Sequence, residues 1–158
     1  MREKDVLNFS IKKKTVIDED AIYGVAGDWA DGLNIDLTET EHKAKGDLSI
    51  KWEGEKKQSH YVKSLYSIEL GIEGRTPVEI VKDGKKQKMT KATVKIKIAS
   101  KMITDYDEKW EETEFRKMYE KFHDKFIVSA HVRKHKKEIE AWTAQLFDAY
   151  KEVLEVEA

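Results

Sequence analysis

The feature that most constrains this chain is a strict two-residue alternation through its middle. Tyr66, Ile68, Leu70 and Ile72 alternate with Ser67, Glu69 and Gly71. Further on, Val94, Ile96, Ile98, Ser100 and Met102 alternate with Lys95, Lys97 and Lys101. Successive side chains on a strand point to opposite faces, so this spacing predicts strands with one buried and one wet face. Antiparallel sheets carry that pattern, whereas parallel sheets between helices have continuous apolar strands. An apolar sheet face must then be covered.

The C-terminal stretch supplies the cover. Ile139, Trp142, Leu146, Tyr150 and Val153 recur at steps of three and four, with Phe147, Ala149 and Leu154 widening the stripe. This predicts an amphipathic helix from about Val132 to Val156, roughly 36 Å long at 1.5 Å per residue. A second stripe of Phe115, Met118, Tyr119, Phe122 and Phe126 predicts a shorter helix over 112–126. Ile127, Val128 and Ser129 separate the two, with Ser129 a candidate cap.

Earlier in the chain, Leu7, Phe9 and Ile11 predict a first strand that ends near Lys12–Ile17. Asp18-Glu19-Asp20 precedes a short helix over Ala21–Ala30, which Gly24 and Gly27 keep short and Asp31-Gly32 ends. A strand then starts at Leu33, with a turn inside Thr40–Gly46, a strand at Leu48–Trp52 and another turn at Glu53–Lys57. The strand from Tyr61 is interrupted at Glu73–Pro77. Val78–Val81 follows as a short strand, and Asp83-Gly84 as the hairpin turn into the long return strand. The expectation is one α+β domain over 1–158, built on a mainly antiparallel sheet of about six strands. The long C-terminal helix and the shorter helix before it cover one face.

The 158 residues are enough to bury a real core. Thirty basic and 31 acidic residues nearly cancel, leaving a net charge of −1 and no global attraction to nucleic acid or an anionic membrane. Cysteine is absent, which removes disulfides, thiolate metal sites and cysteine nucleophiles together. The N-terminus has no apolar signal core, and no run approaches the ~18 apolar residues of a membrane span. The expected setting is soluble and cytoplasmic, with no membrane association. Abundant Lys and Glu with a single proline suit a heat-loving source.

The chemistry-bearing residues fall in three groups. His131 and His135 are four apart and share a helix face, with His123 before them and Glu138 three residues on, the minimum for a metal site. The chain lacks a His-Glu-x-x-His pattern, so the expectation is surface histidines and no metal. Arg133, Lys134, Lys136 and Lys137 form a basic run at the start of the last helix, where it opposes the macrodipole unless an anion is near. That anion is either a phosphate, a nucleic-acid backbone, or the chain's own acidic segment Asp105–Glu114, the last being favoured. A second basic run spans Lys82–Lys91, and nucleic-acid binding would need both runs on one side with aromatics between them. Asp105 and Asp107 open like a calcium loop, but Lys109 stands at its fifth position and Trp110 at its sixth, where glycine is required. No serine sits in a nucleophile elbow, no glycine loop cradles phosphate, and no pair of carboxylates is framed for acid–base work. No catalytic residue and no cofactor are therefore assigned, and the reading leans away from an enzyme without deciding it.

The strand at Leu7–Ile11, the alternating strands from Leu33 to Met102 and the helix from Val132 to Val156 follow one another in an order that resembles the helix-grip arrangement of the START-like superfamily. The helix over 112–126 is a departure from that pattern. The resemblance implies non-catalytic binding of a small hydrophobic ligand between sheet and helices. Trp52, Phe115, Phe122, Trp142 and Leu146 are then the candidate ligand-lining residues. The competing expectations are a protein–protein module or homodimer using the helical aromatic stripe, and anion or nucleic-acid binding through the two basic runs.

Overall fold

The structure is a computed structural model that describes residues 2–59, 61–82, 84–104 and 129–155. Strand β1 (Arg2–Ile17) leads into helix α1 (Glu19–Leu33). Four strands follow, β2 (Asp36–Lys45), β3 (Asp47–Lys57), β4 (Val62–Lys82) and β5 (Lys85–Thr104). Helix α2 (Ser129–Glu155) closes the described chain. The strands form one antiparallel sheet in the order β1-β5-β4-β3-β2, so the first strand pairs with the last. Helix α2 lies against β1, β5 and β4 and touches α1, which also meets β2. Both helices therefore cover one face. The architecture is α+β, as the alternation requires, with five strands among the described residues where about six are expected.

The strand that disappears is the short one at Val78–Val81. It is the outer part of β4, which passes through Gly74–Pro77 without ending. Register shifts between Glu73 and Thr76, where two residues of β4 stand against one of β5. Gly74 takes φ 64°, as a bulge of this kind requires. Pro77 is tolerated because β4 has no β3 partner there, the pairing of those strands reaching only Ile72.

Three other boundaries differ for identifiable reasons. β1 runs on through Lys12–Lys14 to Ile17, because its pairing with β5 continues to Thr90. β2 starts at Asp36 rather than Leu33 and extends through Thr40–Lys45, turning only at Gly46 (φ 72°). Glu53–Lys57 is strand rather than turn. A side chain at Gly54 would meet Ile35 and Leu37 at 3.1 and 3.2 Å, so this glycine admits a close crossing rather than a bend.

Helix α1 is longer than its glycines suggest. Asp18 caps it, accepting from the backbone N–H groups of Asp20 and Ala21 at 3.1 and 3.3 Å. Ile22, Val25, Ala26, Trp29 and Ala30 then bury one continuous face. That burial offsets roughly 1 kcal/mol for each glycine in a helix interior. It ends past Gly32, at Asn34 in the left-handed conformation (φ 55°), whose N–H reaches back to the last turn.

The inward register of β5 is as the alternation predicts: Val94, Ile96 and Ile98 are buried and Lys95 and Lys97 are on the other face. Their partners Ile68, Leu70 and Ile72 on β4 and Phe9 and Ile11 on β1 extend the same apolar floor. Ile139, Leu146, Tyr150 and Leu154 of α2 close on it, with Phe147 stacked on Phe9 at 4.5 Å.

Candidate functional site

Among the described residues, polar side chains cluster on this apolar floor between the start of β4, the end of β5 and the first turns of α2, apart from Thr15 of β1, which donates to the Leu154 carbonyl at 3.5 Å. The short connection from β3 to β4 is wired by Ser59, whose hydroxyl accepts from the backbone N–H groups of Tyr61 and Val62 at 3.2 and 3.0 Å. The same oxygen lies 3.1 Å from His131 Nε2. Gln58, beside it, donates from Nε2 to the carbonyl of His135 at 3.3 Å. The connection thus ties the sheet to α2.

His135 sits at the centre of this tie, 8% exposed, with the His131 ring edge-on at 4.4 Å. Its Nδ1 is 3.1 Å from Glu138 Oε1 and 3.2 Å from Gln58 Nε2. With Glu138 ionised, Nδ1 carries the proton and donates to the carboxylate, leaving His135 Nε2 as the acceptor. Gln58 then keeps the carbonyl contact, and its own Oε1 is buried with no partner among the described residues. Burial lowers the pKa of His135, helped by the charges of His131 and Lys134, while Glu138 works the other way. The imidazole is held neutral.

Deeper in, Tyr66 and Ser100 are direct register partners on β4 and β5, both nearly fully buried. Among the described residues neither hydroxyl has a hydrogen-bond partner. Burial pushes the Tyr66 phenol up to about 12; the neighbouring Ser64 hydroxyl pulls the other way, and Glu138 adds to the rise. Trp29 meets the Tyr66 ring edge-on at 5.0 Å. Tyr150, fully buried on α2, is a further hydroxyl without a partner among the described residues, and burial raises its pKa as well. By contrast Thr143 is satisfied, donating to the Ile139 carbonyl at 2.6 Å.

A second tie joins the two helices beside this cluster. Trp29 donates from Nε1 to the Trp142 carbonyl at 2.9 Å. Lys56 donates to the carbonyl of Leu33 at the end of α1, and its ammonium lies 5.5 Å from the Trp142 ring centroid. Lys56 pairs with Ser64 in the register, so it stands on the inward face of the sheet.

The residues singled out from the sequence are distributed as follows. Leu146 is fully buried in the core, and Trp142 is half-buried between Lys56 and α1 rather than at the centre of the stripe. Trp52 is buried beneath α1, with Tyr23 tilted against it at 5.7 Å. Phe115, Phe122, His123 and the acidic segment 105–114 lie outside the described residues. His135 is buried, not a surface histidine. Arg133, Lys134 and Lys137 are exposed and Lys136 half-buried. Through the His131–Ser59 contact this run sits at the start of β4, while Lys82–Lys91 lies at its far end, so the two basic runs do not form one surface. Among the described residues no three His, Asp or Glu side chains are placed to hold a metal ion, and no helix is long and apolar enough to cross a membrane. An open depression of about 280 Å³ lies on the solvent face of the sheet, where Asn8, Ala99 and Ser67 line up across three strands.

Sequence reasoning missed Gln58, Ser59 and Ser64, which stand in or beside a polar connection with no motif. Tyr66 and Ser100 did leave a signal. Both occupy inward positions of otherwise apolar rows. A scan against protein-family models and a search of curated proteins found no match for this chain.

Proposed function

We propose that this is a non-catalytic binding protein that holds a small, mainly apolar molecule between the inward face of the sheet and the helices. The polar end of that molecule faces Tyr66, Ser100 and Gln58. The reading rests on one observation: Gln58 Oε1, Tyr66 OH, Ser100 Oγ and Tyr150 OH are buried with no partner among the described residues. Each such group costs about 1–3 kcal/mol, a large sum against the 5–15 kcal/mol that typically separates folded from unfolded chains. A ligand carrying one or two polar atoms would relieve it. The surroundings suit such a molecule, since Trp29, the Tyr66 ring and the aliphatic rows of β4 and β5 make an apolar wall with few polar groups.

The connectivity supports the same reading. The first strand pairs with the last, a helix intervenes between β1 and β2, and the C-terminal helix lies on the inward face, as in a helix-grip arrangement. Fold alone does not carry function, so the weight stays on the unpartnered groups.

The test is a titration of solvent-extracted protein with an environment-sensitive apolar dye. One-site uptake with a change in tryptophan fluorescence that is diminished in Trp29→Phe, in a protein that sediments as a monomer, is expected. A tight dimer that takes up no dye would overturn the proposal and favour an interaction module.

A further inference from the structure

Strands β4 and β5 outrun their neighbours. Pairing with β1 stops at Thr90 and pairing with β3 stops at Ile72, yet β4 and β5 stay paired from Thr76↔Lys91 to Lys82↔Lys85. Beyond both limits residues 78–89 project as a two-stranded ribbon roughly 20 Å long at 3.3 Å per residue. An isolated two-stranded ribbon is marginal in water. This one is not rescued by burial at its tip: Lys85, Lys86, Gln87 and Lys88 are exposed, and Val81 is 66% exposed.

Its charge differs from that of the whole chain. Residues 78–89 hold four lysines against Glu79 and Asp83, a net of +2 (4 − 2), on a protein of net −1. The register assigns these lysines to both faces. Lys85 shares a face with Val78 and Met89, while Lys86 and Lys88 share the other with Val81 and Glu79.

We propose that the β4–β5 ribbon is an arm that enters a groove of duplex nucleic acid and holds its phosphates. Three properties select this partner. The major groove, about 12 Å wide, admits a two-stranded ribbon. A groove presents phosphate walls on both sides of an inserted element, which matches lysines on both faces, whereas an acidic protein surface meets one face. No aromatic residue occurs in 78–89, so stacking on single-stranded bases is not the mode. The basic run on α2 lies at the other end of β4 and takes no part.

The test is fluorescence anisotropy of a labelled, mixed-sequence duplex with the full chain over a salt series. Each phosphate neutralised contributes about −0.9 to the slope of log K against log salt. Lys85, Lys86 and Lys88 together give a slope near −2.7, about a 40-fold loss of affinity from 50 to 200 mM salt. The triple variant Lys85→Gln, Lys86→Gln, Lys88→Gln is expected to weaken binding at least tenfold at low salt and to flatten the slope. Lys134→Gln with Lys137→Gln should change neither. Amide line broadening at Lys85–Lys88 when duplex is added to the wild-type protein gives the same answer without a variant. No binding at low salt, binding unaltered in the triple variant, or broadening elsewhere only would overturn the proposal. So would capture of polyglutamate by the ribbon without any duplex binding, which would reassign the arm to an acidic protein partner.

Discussion

Removing the Tyr66 hydroxyl should stabilise the empty protein. Tyr66→Phe deletes one oxygen that is buried at a residue 2% exposed and that has no hydrogen-bond partner among the described residues. Leaving such a group unpaired costs about 1–3 kcal/mol. The ring contact with Trp29 is kept, and the void left by one oxygen is small. A net gain of about 1 kcal/mol follows, the low end of that range. For a chain of this length that corresponds to a rise in Tm of about 2–4 °C. Urea unfolding of solvent-extracted protein, followed by tryptophan fluorescence, measures it. With ligand present the order should reverse, since the variant has lost a contact. A loss of about 1 kcal/mol or more in the extracted variant, the usual cost of breaking a hydrogen bond, would show that the hydroxyl is already satisfied. The argument for a ligand at this position would then fail.

Further outcomes follow from the same geometry. His135 is held neutral, its folded pKa depressed by burial, so protons bind the unfolded chain more readily. Stability should be complete above the ordinary imidazole value of about 6.5 and decline as pH falls below it. Denaturant midpoints across that range check this, and His135→Gln should flatten the curve. Leu146→Ala should cost about 3 kcal/mol in the same assay, since the side chain is fully buried in the core. Asn34→Ala should lose about 1 kcal/mol because alanine resists the left-handed conformation, whereas Asn34→Gly should lose nothing; thermal melts distinguish the two.

Legibility in the sequence followed burial. The rows Val94–Ile98 and Ile68–Ile72 bury one face each, so a slip of one residue would expose the whole set, and their register could be read directly. Helix α2 was legible for the same reason. Glycine misled twice. Gly24 and Gly27 lie where nothing crowds them, so they are tolerated in α1 at a propensity cost that Trp29 and its neighbours outweigh. Gly54 marks a close approach of Ile35 and Leu37, which a chain read alone cannot distinguish from a bend. The continuity of β4 was hidden because a bulge at Gly74 and an edge proline look like a stop. Of the polar cluster, Tyr66 and Ser100 were visible as polar members of inward rows. Gln58, Ser59 and His135 meet only because the β3–β4 connection folds against α2, a contact across more than 70 residues that no local pattern encodes.

Native mass spectrometry of the gently purified protein bears most directly on a ligand held against Tyr66 and Ser100. The folded ions should carry a small-molecule adduct in one-to-one ratio, lost on organic extraction and regained when the extract is added back. Folded ions at the bare chain mass, unchanged by extraction or by the extract, would contradict the account.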